Sequence, residues 1–406
     1  MVEKVLILVE RVSRERDLAE FLTLKNNSES KYYVEIKSIP YDLYTISFIT
    51  YDLILIPFVP SSPSPFATLI KELLLANKRV VSLNWEQYLP PVSASYRGNA
   101  FKKFNSTGLL MCSWSEKFSD FLLELGFCNE KIVKVQNYNS MILKLRILLD
   151  RGSIKTEKII FFPMNYAWAF ADGRFIKYRV KTGYSELLAN EYVEYSKKCL
   201  ASFVHNLEIF SRMNADYKIV VKAYPGISQK QCEKFLELIE VDFPKNVKFL
   251  YNVDASDYLL RSCIVISSWS TAALDRFLID GRSVLFTPLE RPEWLDVHWN
   301  SDLLNLNTLE CTVSEIKEKL VGYNSDRISH YEQDLNFDDF FKRGHTNCNY
   351  SISSFVRLKA LQFRFFTYNK KNRIIFWLNK HGVNKATGFE NDRFTWDRSS
   401  LKIKKI

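Results

Sequence analysis

Glycine and proline are scarce in this chain, and several features that mark particular protein classes are missing. Its 406 residues include 12 glycines and 12 prolines, which excludes collagen-like repeats and long glycine-rich or proline-rich linkers. No apolar run approaches the ~20 residues that a helix needs to cross a bilayer, so we predict no transmembrane helix. We also predict no secretory signal, because charged residues interrupt and follow the apolar stretch at the N-terminus.

Metal-binding and disulfide patterns are also missing. The 7 cysteines include no CxxC pair, and they do not combine with the 5 histidines at the spacing of zinc ligands. No Asp-x-Asp sequence ends a predicted strand. We therefore expect no metal, no cofactor and no disulfide framework, with the thiols packed inside a cytoplasmic protein.

What the chain does contain is a regular alternation of apolar strands and helical stretches. Continuous apolar runs such as 5–9, 53–56 and 264–266 are typical of strands that are buried on both faces of a parallel sheet. The pattern restarts after a polar stretch at 151–156 that contains glycine. We predict an α/β protein with two Rossmann-like domains facing a central cleft, at residues 1–150 and 151–340. A basic, aromatic helical tail would follow at 341–406, packing back on the N-terminal domain or on a membrane.

Hydroxyl side chains cluster where one predicted strand meets a helix. Ser268, Ser270 and Thr271 follow the apolar strand at 264–266. Doubly wound sheets bind ligands at the carboxyl ends of their strands, and a helix that starts there offers unpaired N–H groups to an anion. We predict a phosphate site at this position; ordinary helix capping by the same residues is the alternative.

A second candidate element follows the predicted strand at 218–222. Lys222 can pair with a phosphate as a point charge, and Tyr224 can stack on a ligand or donate a hydrogen bond. A strand that ends in a proline turn and an exposed lysine is the alternative. Because this strand belongs to the same predicted sheet as the hydroxyl cluster, we expect both elements to reach one ligand.

These two elements carry a family resemblance. They resemble the donor half of GT-B-type bacterial surface-polysaccharide transferases, above all the Kdo and sialic acid transferases, and more distantly the glycerophosphate transferases. The matching elements are Lys222-Ala223-Tyr224-Pro225, Ser268-Trp269-Ser270-Thr271 and Gly281-Arg282-Ser283-Val284. Tyr224 stands where those families have histidine, which puts proton donation at this position in question.

The resemblance implies a GT-B-like fold and a glycosyltransferase that takes a sugar from a nucleotide-sugar donor. CMP-Kdo is the first donor it implies, with a surface polysaccharide or lipopolysaccharide as the acceptor. A UDP-, GDP- or CDP-linked donor on the same fold is one alternative, and a non-catalytic scaffold that binds glycan or membrane is another. The residues it assigns to the donor are Lys222, Tyr224, Ser268, Ser270, Thr271 and, in the loop that would reach the ribose, Glu290.

A transferase also needs a carboxylate as a base or nucleophile, and Asp172 is the candidate. The Asp172-Gly173 pair resembles the element near the catalytic aspartate of some sialyltransferases; an ordinary Asp-Gly turn is the alternative. Polar and aromatic side chains that follow predicted strands are the candidates for binding the sugar or acceptor. They are Asn165, Tyr166, Trp168 and Glu86.

The positive charge of the chain is concentrated at its C-terminal end. Residues 357–406 carry 13 basic and 3 acidic side chains, a surplus equal to the net charge of +10 for the whole chain. Basic residues interleaved with aromatic ones suit an anionic membrane surface. A solvated helix pair and a nucleic-acid partner are the alternatives; we expect no nucleic acid, because no RNA-binding motif is found. The expected location is cytoplasmic, with peripheral contact at the inner membrane.

Overall fold

The computed structural model describes most of the chain up to residue 380. The described residues are 2–10, 12–26, 31–60, 64–85, 87, 97–149, 156–181, 183–224, 227–251, 255–268, 270–295, 303–321, 323, 331, 333–343 and 352–380. Among them are twelve strands in two sheets of six. Helices alternate with the strands in both halves, as the sequence predicts.

The strands are β1 (Glu3–Val9), β2 (Tyr32–Ser38), β3 (Leu53–Ile56), β4 (Arg79–Ser82), β5 (Leu110–Ser113), β6 (Ile132–Lys134), β7 (Glu157–Pro163), β8 (Lys218–Lys222), β9 (Val247–Leu250), β10 (Ser262–Ser267), β11 (Ser283–Phe286) and β12 (Asn305–Leu306). The helices are α1 (Val12–Asn26), α2 (Ile39–Asp42), α3 (Pro65–Leu75), α4 (Glu116–Glu124), α5 (Tyr138–Leu149), α6 (Gly173–Lys181), α7 (Glu186–Met213), α8 (Gln229–Ile239), α9 (Ser256–Arg261), α10 (Thr271–Asp280), α11 (Val313–Leu320), α12 (Phe337–Arg343) and α13 (Ile352–Lys380).

Both sheets are parallel and doubly wound. The first has the order β2-β1-β3-β4-β5-β6 and the second β12-β11-β10-β7-β8-β9. The strand order reverses between β1 and β3 in the first sheet and between β7 and β10 in the second, and such switch points are where this class of fold binds ligands. Each half of the chain contains one such parallel sheet, so the predicted α/β architecture of two Rossmann-like domains is confirmed.

The central strands owe their place to unbroken apolar sequence. The runs 5–8, 53–56 and 264–266 have no exposed surface at all. Parallel strands need helices on both faces, so every position of such a strand can be apolar. Burial of each side chain of this size contributes about 1.5–3 kcal/mol relative to leaving it exposed.

Two helix ends carry residues that are typical of such ends. Gly126 follows the end of α4 with a φ of +87°, a left-handed conformation that suits glycine. Ser228 and Gln231 form a reciprocal capping box at the start of α8, with the Gln231 N–H donating to the Ser228 hydroxyl at 3.3 Å.

The long helix α7 is preceded by a separate short helix that the sequence does not predict. This helix, α6, begins at Gly173, the second residue of the Asp-Gly pair that is typical of a turn. No residue of α6 is fully buried. Strand β12, with two residues, was also not predicted because it is too short to show a period.

After the second sheet the chain returns to the first domain. The Gln136 N–H donates to the Gln333 carbonyl oxygen at 2.8 Å, and Leu335, Phe337 and Phe340 are buried among the side chains of the first sheet. The chain has therefore returned before residue 340, the boundary that the sequence suggested. The helix α13 then packs on α2 and α3 of the first domain.

One tryptophan of the first domain reaches into the second. Trp114 follows β5, is buried, and packs against Ala273, Leu274 and Phe277 of α10. Its carbonyl oxygen also accepts a hydrogen bond from the Tyr331 N–H at 3.2 Å, where the chain is returning. The loop after a strand of the first sheet thus contacts the helix that starts at the switch point of the second.

Neither membrane-spanning helices nor disulfides are found within the described ranges. No helix there is both long and apolar enough to cross a bilayer. The six cysteines described there are all free thiols, and only Cys128 is exposed.

Candidate functional site

The two predicted donor elements lie at the same edge of the second sheet. In the strand register, Lys222 of β8 is the partner of Pro163 in β7. The Ser267 hydroxyl of β10 donates to the Pro163 carbonyl oxygen at 2.8 Å. Because neighbouring strands are ~4.8 Å apart, the Lys222 and Ser267 backbones are about 10 Å apart. The edge they share is the carboxyl end of the strands, next to the switch point between β7 and β10.

A buried hydrogen bond joins the two strands at this switch point. The Tyr166 hydroxyl, from the loop after β7, lies 2.5 Å from the Ser268 hydroxyl, which follows β10. The Tyr166 ring packs against Phe203 of α7, with ring centroids 5.4 Å apart. Burial raises the pKa of Tyr166 well above its ordinary value, so this phenol stays protonated and can donate at neutral pH.

This burial corrects one expectation. With 1% of its surface exposed, the Tyr166 ring has no face available to stack on a sugar. What Tyr166 contributes is a hydroxyl that positions Ser268. A cavity of about 10 Å³ lies beside these two residues, the space of roughly one water molecule. Any ligand of the size of a nucleotide would have to sit outside it, above the strand ends.

Ser270 caps the helix that starts here. Its hydroxyl accepts a hydrogen bond from the Ala272 N–H at 3.3 Å, and its extended backbone is typical of an N-cap. Thr271 is the first helical residue and is half-buried. Capping, the alternative considered for this segment, therefore holds for Ser270. The cap occupies one of the unpaired N–H groups of α10, and a role for Ser270 and Thr271 in anion binding stays a prediction.

Sequence reasoning missed an arginine at this edge. Arg291, in the loop after β11, donates from Nη2 to the Ser268 carbonyl oxygen and to the Thr287 hydroxyl, the latter at 3.1 Å. Burial raises the pKa of Tyr166 and of Cys199, whereas the positive charge of Arg291 lowers the pKa of both groups. A cation therefore lies at the switch point, beside the buried hydroxyl pair.

The loop of Arg291 is held down by aromatic contacts with α7. Trp294 packs edge-on against Tyr192, with centroids 5.3 Å apart, and against Tyr195 at 6.2 Å. The Tyr195 hydroxyl donates to the Leu289 carbonyl oxygen at 3.5 Å. These contacts on both sides of Arg291 aim it inward, whereas its neighbour Glu290 is exposed to solvent. The predicted contact of Glu290 with a ribose stays a prediction.

Trp168 belongs to an aromatic cluster rather than to an open surface. Its ring stacks on Tyr192 at 4.3 Å with an angle of 14°, and the Arg179 guanidinium lies 5.3 Å from its ring centroid. Only 9% of Trp168 is exposed, so the stacking of a sugar on this ring is not supported. Burial raises the pKa of Tyr192 well above its ordinary value. Tyr224, after β8, is half-buried and packs against the core of the second sheet.

Asp172 is the N-terminal cap of α6. Its Oδ1 accepts a hydrogen bond from the Phe175 N–H at 2.8 Å, and its Oδ2 pairs with Arg174 at 3.3 Å. The Phe175 N–H, and the charge of Arg174, hold the pKa of Asp172 below its ordinary value. The side chain is 49% exposed. Within the described residues no contact joins Asp172 to Ser268 or Arg291, so a catalytic role stays a prediction.

The remaining candidates are less defined. Asn165 lies half-buried between β7 and Tyr166, on the wall of the small cavity. Glu86 lies outside the described residues, as do Pro225 and Trp269 of the matching elements. No group of three or more histidine, cysteine, aspartate or glutamate side chains is placed to hold a metal ion in the described part of the chain.

A larger cavity of about 380 Å³ lies at the opposite edge of the second sheet. It is lined at the amino ends of the strands by Thr156, Cys263 and Arg282 and by Lys317 of α11. Parallel sheets bind their ligands at the carboxyl ends of strands. We therefore place the candidate site at the switch point and not in this cavity.

Comparison with known proteins gives distant likenesses of fold. No protein-family model and no curated protein matches the sequence. The solved structure of S. aureus MnaA with UDP is 10% identical over 84% of this chain and 94% of that chain, with a TM-score of 0.46. The wall teichoic acid polymerase TagF is 12% identical over 91% and 88%, with a TM-score of 0.44. The UDP-GlcNAc 2-epimerase of Methanocaldococcus jannaschii is 12% identical over 91% and 100%, with a TM-score of 0.43. Likenesses this distant do not transfer a function.

Proposed function

We propose that this chain is a glycosyltransferase that takes its sugar from a nucleotide-sugar donor. The observation that carries the proposal is the convergence of Tyr166, Ser268 and Arg291 at the switch point of the second sheet. A phosphate fits this combination, because a guanidinium, hydroxyl groups and a helix N-terminus all bind anions. Lys222, at the same sheet edge, would add a second positive charge.

In this proposal the donor phosphate lies over the start of α10. Ser268, Ser270 and Thr271 would hold its oxygens, and Arg291 and Lys222 would balance its charge. Negative charge grows on the phosphate oxygen as the bond to the sugar breaks. Donors that are already in place stabilise that charge more in the transition state than in the bound donor, which accelerates transfer. We propose that no metal or other cofactor is needed.

The acceptor hydroxyl needs a group that takes its proton, and we propose Asp172. In an inverting reaction, the acceptor oxygen bonds to the anomeric carbon while the bond to the donor phosphate breaks, and Asp172 receives the proton. In a retaining reaction, Asp172 would first bond to the anomeric carbon as the bond to the donor phosphate breaks. The acceptor oxygen would then displace Asp172, and the freed carboxylate would receive the acceptor proton. Both courses stay open, and either requires an ionised carboxylate. An aspartate is ionised at neutral pH, and the hydrogen bond from the Phe175 N–H favours that form.

The donor and acceptor follow from the family resemblance of Lys222 to Pro225 and of Ser268 to Thr271. We propose CMP-Kdo as the first donor to test, with a UDP-, GDP- or CDP-linked sugar as the alternative. The acceptor would be a surface polysaccharide or lipopolysaccharide. A glycan of this kind grows on a membrane, so the enzyme would be cytoplasmic with peripheral membrane contact.

Thermal unfolding with nucleotides should identify the donor. We expect one of CMP, CDP, UDP or GDP to stabilise the chain, by about 2.7 kcal/mol at one hundred times its dissociation constant. Selective stabilisation by CMP would support a CMP-linked sugar, and preference for another nucleotide would change the donor and keep the site. If no nucleotide raises the unfolding temperature, the transferase proposal fails and a non-catalytic scaffold becomes the better account.

A further inference from the structure

The helix α13 presents two different faces. Its inner face is buried in the core of the first domain through Leu358, Leu361 and Phe365. Asn369 fixes this face, because its side-chain amide donates to the Ile39 carbonyl oxygen at 3.0 Å and accepts from the Tyr44 N–H at 3.3 Å. The helix is thus anchored from within, and its opposite face points away from the protein.

That outer face is apolar in the middle. Phe363 is 77% exposed and Val356 is 58% exposed, although both are large apolar side chains. Seven residues are close to two helical turns, so Val356, Phe363 and Lys370 lie along one line. Phe366 lies beside this line, 45% exposed, with the Lys370 ammonium 5.8 Å from its ring centroid. Arg364 is exposed on the other side.

The charge of α13 has a single sign. The helix contains seven basic residues and no acidic one: Arg357, Lys359, Arg364, Lys370, Lys371, Arg373 and Lys380. The carboxylate that pairs with Arg357 is Glu72 of α3, at 3.7 Å. A solvated helix face normally mixes charges of both signs. Exposed apolar and aromatic side chains flanked by basic residues instead suit an anionic bilayer surface, which attracts the basic groups and takes aromatic rings at the level of the headgroups.

We propose that the outer face of α13 docks on an anionic lipid surface. Phe363 and Val356 would enter the boundary between headgroups and acyl chains, where aromatic rings are favoured. Arg364 and Lys370 would then lie beside the lipid phosphates. Each basic residue near such a surface contributes about fivefold in binding. The helix lies on the membrane in this arrangement and does not cross it. The proposal does not depend on the transferase reaction.

Sedimentation of the full chain with vesicles tests this surface without any nucleotide. We expect binding to vesicles of phosphatidylcholine with phosphatidylglycerol, little binding to phosphatidylcholine alone, and weaker binding at high salt. Phe363→Ala should weaken binding about tenfold or more, because it removes the apolar contact. Arg364→Gln/Lys370→Gln should weaken it about 25-fold. The matched control is Lys230→Gln/Lys234→Gln, two exposed lysines on α8 in the second domain.

Three outcomes would overturn the proposal. The first is equal binding to both vesicle types, or none to either. The second is wild-type binding by the Phe363 and Arg364/Lys370 variants. The third is binding of single-stranded nucleic acid, but not of vesicles, by the same face. Circular dichroism should show all variants folded, because the replaced side chains are exposed. Sugar transfer to a soluble acceptor should be unchanged in them, so failure here is distinct from failure of the proposed reaction.

Discussion

Asp172→Asn should abolish sugar transfer and leave the fold intact. Removal of a general base typically costs about 100-fold to 10,000-fold in turnover. Asparagine caps helices as well as aspartate does, so α6 should keep its N-terminus, with a loss of less than about 1 kcal/mol in the free energy of unfolding. The measurement is turnover with the donor identified by thermal unfolding, together with the unfolding temperature of the variant.

The control for this substitution is Asp216→Asn. Asp216 is also an exposed carboxylate in an ion pair, with Lys158 at 2.9 Å, but it lies in the turn before β8. Its replacement should leave turnover unchanged. Wild-type turnover in Asp172→Asn, or an equal loss in both variants, would mean that Asp172 is only a helix cap.

The pH dependence of transfer gives an independent check on Asp172. Its hydrogen bond from the Phe175 N–H and the charge of Arg174 stabilise the carboxylate, so its pKa is lowered. The active, ionised form should therefore persist as the pH falls, until the pH passes below the ordinary pKa of an aspartate. If activity is instead lost on protonation at a pH well above that pKa, the essential base is another group.

The strands could be predicted because parallel strands that are buried on both faces are continuous apolar runs. β3 and β10 are such strands, and both lie where the sequence places them. The helix α6 was not predicted, because it begins within the Asp172-Gly173 pair, which is typical of a turn.

The site could be predicted in part. Lys222 ends one strand and Ser268 follows another strand of the same parallel sheet. The carboxyl ends of such strands share an edge, so their proximity follows from topology. Arg291 is different, because the direction of a loop residue depends on what anchors the loop. Here the anchor is the packing of Trp294 on α7, which is a tertiary contact. The burial of Trp168 depends on the same packing on α7, so the sequence does not reveal it either.

Arg291→Met should weaken nucleotide binding through the phosphate alone. A hydrogen bond to a charged group is worth about 1.5–3 kcal/mol, so the dissociation constant of the preferred nucleotide should rise roughly tenfold to 150-fold. The matching nucleoside, which has no phosphate, should bind the variant and the wild type equally. Arg291→Lys keeps the positive charge but loses the planar guanidinium with its paired N–H donors. Its dissociation constant for the nucleotide should lie between those of the wild type and Arg291→Met. Titration calorimetry with both ligands measures these differences.

The comparison of nucleotide with nucleoside separates binding from structural support. Arg291 also holds the Ser268 carbonyl oxygen and the Thr287 hydroxyl, so its removal lowers the stability of the loop as well. If the substitution only collapsed the loop, the binding of nucleoside and nucleotide would weaken equally. That result would contradict a contact between Arg291 and the phosphate. Arg212→Met, which removes an exposed arginine paired with Glu208 at 2.8 Å, controls for the loss of positive charge from the second domain. If only the nucleotide loses affinity, and only in the Arg291 variant, the donor phosphate lies at the switch point between β7 and β10.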